Sequence, residues 1–141
     1  MEMKTFNNNK ITFKYPATWE EEAPDRANNP DCIATITKGE ENLLNVVMFP
    51  THTNLDDFKI TMEDMITDDG GVILESDFVS TAGKDAIKLI AEMNTPDIIF
   101  EIYTYVFIVL NTIYIFELRT VNPQKETIDA YNDLVSSFEI L

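Results

Sequence analysis

His52 is the only histidine and Cys32 the only cysteine of the 141 residues, so a nucleophile–base pair or a transition-metal site would have to be built around these two. His52 stands in Phe49-Pro50-Thr51-His52-Thr53-Asn54, just ahead of a helical pattern, and reads as a loop residue. Cys32 lies well upstream at the start of a strand, with no nucleophile-type turn around it, and reads as a small buried or half-buried hydrophobe. Oxygen chemistry has more material, with 25 Asp and Glu. Asp68-Asp69-Gly70-Gly71 lacks the alternating acids and closing Glu of a calcium loop, and Glu20-Glu21-Glu22 with Asp25 reads as a solvated charge run that could hold calcium only weakly. Gly70-Gly71 follows a helix instead of opening one, opposite to a phosphate-binding loop, and no cofactor is implied. Glu92, Glu101 and Glu117 could be arranged as paired acids for glycoside chemistry, but Lys88 and Arg119 at neighbouring positions explain them more simply as cross-strand ion pairs.

Composition narrows the partners. With 10 basic residues against the acids the net charge is −15, which excludes electrostatic binding to nucleic acid or anionic lipid. The charge is spread through both halves of the chain and reads as a solubilising coat. Ile102–Phe116 is the longest stretch without charge, too short for a membrane span and interrupted at Asn111-Thr112, so it reads as two buried strands. The first ten residues lack an apolar run of signal-peptide type, which points to the cytoplasm, and a lone thiol is compatible with a reducing interior.

The elements that must position these residues follow from periodicity. No repeat, linker or composition shift divides residues 1–141, which read as one domain. Asn7-Asn8-Asn9 marks a turn between two short strands, and Ile11, Phe13 and Tyr15 alternate with Thr12 and Lys14 as in a half-buried strand. Glu20–Pro30 reads as a loop, and Ile33–Thr37 and Leu43–Phe49 as strands. Asn54 is placed to cap a helix over about 54–68, with Leu55, Phe58, Met62, Met65 and Ile66 on its apolar face. Four more strands follow at Val72–Val79, Ala86–Asn94, Ile98–Leu110 and Ile113–Val121. Asn122-Pro123 opens a C-terminal helix over about 123–137, with Ile128, Tyr131, Leu134, Val135 and Phe138 as its stripe. The class is α+β: an α/β/α sandwich, its central antiparallel sheet of about six to eight strands carrying a helix on each side.

Strand parity assigns the even positions of Ile98–Leu110 to the core. A connection of three residues around Asn111 would then set Phe107 opposite Ile115, Tyr105 opposite Glu117 and Tyr103 opposite Arg119. In that register Lys88, Glu92, Glu101, Tyr103, Tyr105, Phe107, Glu117 and Arg119 share the other face. Aromatic residues interleaved with charges make it the candidate protein-binding face, unless a helix or the N-terminal hairpin covers Tyr105 and Phe107.

The strand Ile11-x-Phe13-x-Tyr15-Pro16-x-x-Trp19 resembles the opening of PsbP-like domains, whose fold is shared with the yeast Ran-binding Mog protein. The resemblance continues through Asn45-Val46, Leu55-x-x-Phe58, a strand after Gly83, Ile113–Phe116 and the closing Ser137–Ile140. It implies the sandwich fold and a non-catalytic module that binds or assists another protein; no functional residue carries over. Some secretion chaperones are similar in fold, which adds a second expectation, an adaptor for a secreted or membrane client with a large apolar groove. The rival class is a carboxylate- or divalent-ion-dependent hydrolase, which requires a cleft with converging acids. The partner is expected to be a protein, with no nucleic acid and no membrane insertion, and self-association into a homodimer is left open.

Overall fold

The computed structural model describes residues 2–141; Met1, the first residue of the expected single domain, lies outside them. Two hairpin strands, β1 (Met3–Asn7) and β2 (Ile11–Pro16), pair antiparallel and are joined on the far side of β2 by the two-residue β10 (Glu139–Ile140). The larger sheet has seven antiparallel strands in the order β3 (Glu20–Glu22), β4 (Cys32–Lys38), β5 (Asn42–Pro50), β9 (Thr112–Thr120), β8 (Ile99–Val109), β7 (Lys84–Asn94) and β6 (Val72–Thr81). Helix α1 (Leu55–Asp68) connects β5 to β6, and α2 (Lys125–Ser136) follows β9. The two helices lie on opposite faces of the seven-stranded sheet, so the expected α+β sandwich is the observed one.

Local chemistry accounts for most boundaries. Asn54 caps α1 as expected: its side chain accepts a hydrogen bond from the Asp57 N–H at 2.8 Å, with Asp56 and Asp57 at the positive end of the helix. On β2, Ile11, Phe13 and Tyr15 all point into the core. Several boundaries differ from the sequence expectation, among them the following. Glu20–Glu22, read as loop, is an edge strand held on β4; its side chains are exposed, so no hydrophobic alternation announces it. The second helix starts after Gln124, not at Asn122-Pro123, and Gln124 makes no side-chain cap. It ends at Ser136, so Phe138 belongs to the segment leading into β10, where its ring still packs on Phe107, Tyr114 and Phe116 at 5.0–5.3 Å.

The main correction concerns β8 and β9. Val109 pairs with Thr112, so the connection is the two residues Leu110 and Asn111 instead of three. Both have positive φ, 48° and 62°, as a type I′ turn requires. Phe107 therefore sits opposite Tyr114, Tyr105 opposite Phe116 and Tyr103 opposite Leu118. The inference of an odd connection assumed that only one face of β8 is core. Both are: Val106 is buried on the α1 side, and Phe107 and Tyr105 on the α2 side. Ile98 and Leu110, assigned to the core face, fall outside the strand and are exposed.

The main core lies between the α2 side of the large sheet, α2 itself and the small sheet, with Phe13 edge-on to Phe116 at 5.6 Å. Tyr131 of α2 is fully enclosed, its hydroxyl within 2.7 Å of the Phe116 carbonyl and 2.9 Å of the Tyr103 carbonyl, which ties the helix to two adjacent strands. The α1 side is thinner. It holds Ile87, Val106 and Ile113 under half-buried Phe58 and Met62, and α1 itself has no fully buried residue.

All five tyrosines are held above their ordinary pKa of 10.0, each chiefly by burial, with the Glu101 carboxylate adding to the effect at Tyr103. Above about pH 10 the unfolded chain therefore holds fewer protons than the folded one, and stability falls as pH rises. In an alkaline titration followed by tyrosinate absorbance, little signal is expected until the far-ultraviolet circular dichroism is lost, and then the two should change together. A separate test addresses the turn. Leu110 is 94% exposed and has no packing to lose, so Leu110→Asn should raise stability by about 1 kcal/mol, seen as a higher denaturant midpoint at unchanged slope.

Candidate functional site

The register divides the face expected from the sequence. Lys88 pairs with Tyr105 and Glu92 with Glu101, so Lys88, Glu92, Glu101, Tyr103, Tyr105 and Phe107 do share the α2 side. Glu117 pairs with Thr104 and Arg119 with Ile102, which puts both on the α1 side, and a sheet now separates them from the other six. The physical reason is the period of two: shortening the turn by one residue inverts one strand relative to the other. Of the six, Phe107 is completely buried and Tyr105 is covered by α2, its hydroxyl donating to Asn132 Oδ1 at 2.9 Å. Lys88, Glu92, Glu101 and Tyr103 remain partly exposed, and three of these already have partners: Lys88 with Glu75 at 3.6 Å, and the Tyr103 hydroxyl donating to the Glu101 carboxylate. Glu92 and Glu101 are neighbours, but Glu117 lies behind the sheet, so the three acids do not converge.

A different surface stands open. On β5 the residues facing α2, Asn42, Leu44 and Val46, are buried, while Leu43, Asn45 and Val47 on the other side are half-exposed. On β9, Tyr114, Phe116 and Leu118 are buried, Ile115 and Glu117 are half-exposed and Arg119 is exposed. The cause is the position of α1, which packs on β6, β7 and β8. Strand pairing lines up polar residues across this surface in one row, Glu22, Thr35, Asn45, Glu117 and Thr104, each directly opposite the next. Thr35 Oγ1 donates to Asn45 Oδ1 at 2.8 Å, and Arg119 Nε donates to Glu117 Oε1 at 2.6 Å. The Arg119 guanidinium also stands 5.8 Å from the Phe100 ring centre.

Two cavities adjoin the row. A polar one of about 510 Å³ lies where the segment after β3 folds beside the sheet, with Glu22, Asp25, Asn28, Thr35, Asn45 and Arg119 among its walls. Asn28 donates to Asp25 at 2.8 Å, and this bond holds the Asp25 carboxyl below the usual range. The other, about 170 Å³ and almost wholly apolar, lies between α1 and the sheet, under Phe58, Met62, Met65 and Ile66, with Thr104 and Glu117 at its polar end. Among the described residues no three His, Cys, Asp or Glu side chains gather into a metal cage. His52 is exposed ahead of α1, in the loop where it was expected. Among the described residues no helix is long and apolar enough to cross a membrane. The parity of β5 and β9 pointed to this surface. What hid it was the register that seemed to bring Glu117 and Arg119 to Tyr103 and Tyr105.

No family model matches the sequence, and no curated protein does. Solved structures of similar shape were found. The cyanobacterial PsbP protein CyanoP of Synechocystis superposes with a TM-score of 0.75 at 13% identity, covering 99% of this chain and 92% of that one. LpqN, involved in cell envelope biogenesis of Mycobacterium tuberculosis, gives 0.66 at 11%, covering 99% and 90%. The Ran-binding protein Mog1p of Saccharomyces cerevisiae gives 0.64 at 15%, covering 99% and 96%. At such identities the likeness is one of fold, and the fold is that of PsbP and Mog1, as the opening motif implied.

Cys32 reports on the polar cavity, because its 1% exposed thiol lies beside Thr35 and Asn45. A disulfide exchange reagent should label Cys32 slowly in the native protein and rapidly in denaturant. Fast native labelling would mean that the segment after β3 leaves the sheet readily.

Proposed function

We propose that this chain is a non-catalytic protein-binding module, and that it recognises its partner with the open surface of β5 and β9 beside α1. One observation carries this reading: alternate residues of β5 and β9 are buried toward α2 but half-exposed toward the other side, in a continuous strip of mixed polarity. A surface of that kind, with Arg119 opposite Leu43 and aliphatic Val47 and Ile115 paired further along the strands, suits a protein contact. The Ran-binding of Mog1p, which has the same fold, supports the class of function without naming the partner. The adaptor reading asks for a large apolar groove, and an apolar cavity of about 170 Å³ is far smaller than that. The hydrolase reading asks for converging acids, which the sheet between Glu117 and the pair Glu92–Glu101 does not favour. The remaining exposed part of the sequence-predicted face, Lys88, Glu92, Glu101 and Tyr103, ranks second, because three of its four side chains are paired within the chain.

The test is capture from the native cell at moderate salt with three baits: the unaltered chain, Leu43→Lys, and Glu92→Lys. Circular dichroism should confirm that both variants fold. A stoichiometric protein retained by the unaltered chain and by Glu92→Lys, but lost with Leu43→Lys, is the expected outcome. Loss with Glu92→Lys alone would move the site to the α2 side. Recovery of no stoichiometric protein would remove the reading.

A further inference from the structure

We propose that the segment this surface receives is basic and carries one large apolar side chain, which seats in the cavity beneath α1. The proposal rests on the binding-module reading above and adds the chemistry of the partner.

Size comes first. A cavity of about 170 Å³ is too small for a drug-sized ligand, whereas an apolar cavity of about 150 Å³ takes up a single benzene ring. One phenylalanine, leucine or methionine side chain therefore fits. Its walls can adapt. No residue of α1 is fully buried, and Met65, which lines the cavity, is 60% exposed. Unbranched methionines on a thinly anchored helix repack around an incoming group at small cost.

Charge specifies the rest of the segment. Glu117 stands at the polar end of the cavity, and its neighbour on the strand, Arg119, is already bound to it. Glu22 and Asp25 stand on the wall of the adjoining polar cavity. On α1, Asp57, Asp64 and Asp68 share one exposed face at helical spacing, whereas Lys59 and Glu63 pair on the β6 side, with Lys59 over the Phe78 ring. A segment lying along the polar row thus meets Glu22 and Asp25 at its β3 end and Glu117 beside the apolar cavity, in a chain whose net charge is −15. Lysine or arginine on either side of the apolar anchor complements that field, which also speeds encounter.

Three short labelled peptides test this against the full chain: lysine-rich with a central phenylalanine, the same with alanine at the centre, and the same with glutamates replacing the lysines. Binding is read by fluorescence anisotropy and by amide shifts. The phenylalanine peptide should bind with shifts centred on Met62, Met65, Ile115 and Glu117. The alanine peptide should bind at least about tenfold more weakly, and the glutamate peptide not measurably. Met65→Glu, altered at an exposed position, should weaken the phenylalanine peptide by a similar factor while the chain stays folded. Equal binding of the phenylalanine and alanine peptides would mean diffuse attraction to an acidic surface and would overturn the proposal. So would shifts centred elsewhere. If no peptide binds but Leu43→Lys still abolishes partner capture, the partner chemistry is wrong and the binding-module reading stands; if capture fails as well, both fall.

Discussion

The two-residue turn at Leu110 and Asn111 is the constraint on which the rest of this molecule depends. A type I′ turn leaves no freedom in how β8 meets β9, because its two positive-φ residues close the ladder directly from Val109 to Thr112. Through the pleat, that one choice sends Tyr103, Tyr105 and Phe107 to the same side as Tyr114, Phe116 and Leu118. The aromatic core under α2 is the direct result, as is the removal of Glu117 and Arg119 to the other face. The chain reaches this with a leucine where asparagine or glycine would be easier, and the burial of Phe107 and Phe116 outweighs a turn cost of about 1 kcal/mol.

The two sides of the large sheet are unequal for a simple reason of coverage. The α2 side receives a helix and a three-stranded sheet, with Phe13, Tyr131 and Phe138 filling the space between. The α1 side receives one helix that packs on β6, β7 and β8. What remains uncovered on β5 and β9 has to tolerate water, and its residues show it: Asn45, Glu117 and Arg119 alternate with Leu43, Val47 and Ile115. Such a surface is stable in water and can still be desolvated by a partner. The well-packed side is the more rigid, and the thin side leaves part of the sheet uncovered.

Much of this was legible in the residues. The Asn54 cap, the alternation on β2, the burial of Cys32 and the loop position of His52 each follow from local chemistry, and the structure shows them where they were expected. The PsbP-like opening motif led to the correct fold because Tyr15, Pro16 and Trp19 end a strand and fill the core beside it. Elements whose only reason is a neighbour were not legible. β3 is three exposed glutamates that become a strand by pairing with β4, and β10 is two residues held by β2. The start of α2 moved past Pro123 because no side-chain cap marks it.

The division between sequence and tertiary structure is therefore sharp at the site. By itself the sequence determined the two helices, most of the strands and the acidic coat, since these depend on residues close together in the chain. Only the tertiary structure decided which strand faces match, because β8 is apolar on both sides and its parity alone cannot choose between them. A one-residue difference in a turn costs little locally, yet it reassigns every side chain beyond it. That is why Glu117 and Arg119 belong to the open surface beside α1 and not to the aromatic face where the sequence had placed them.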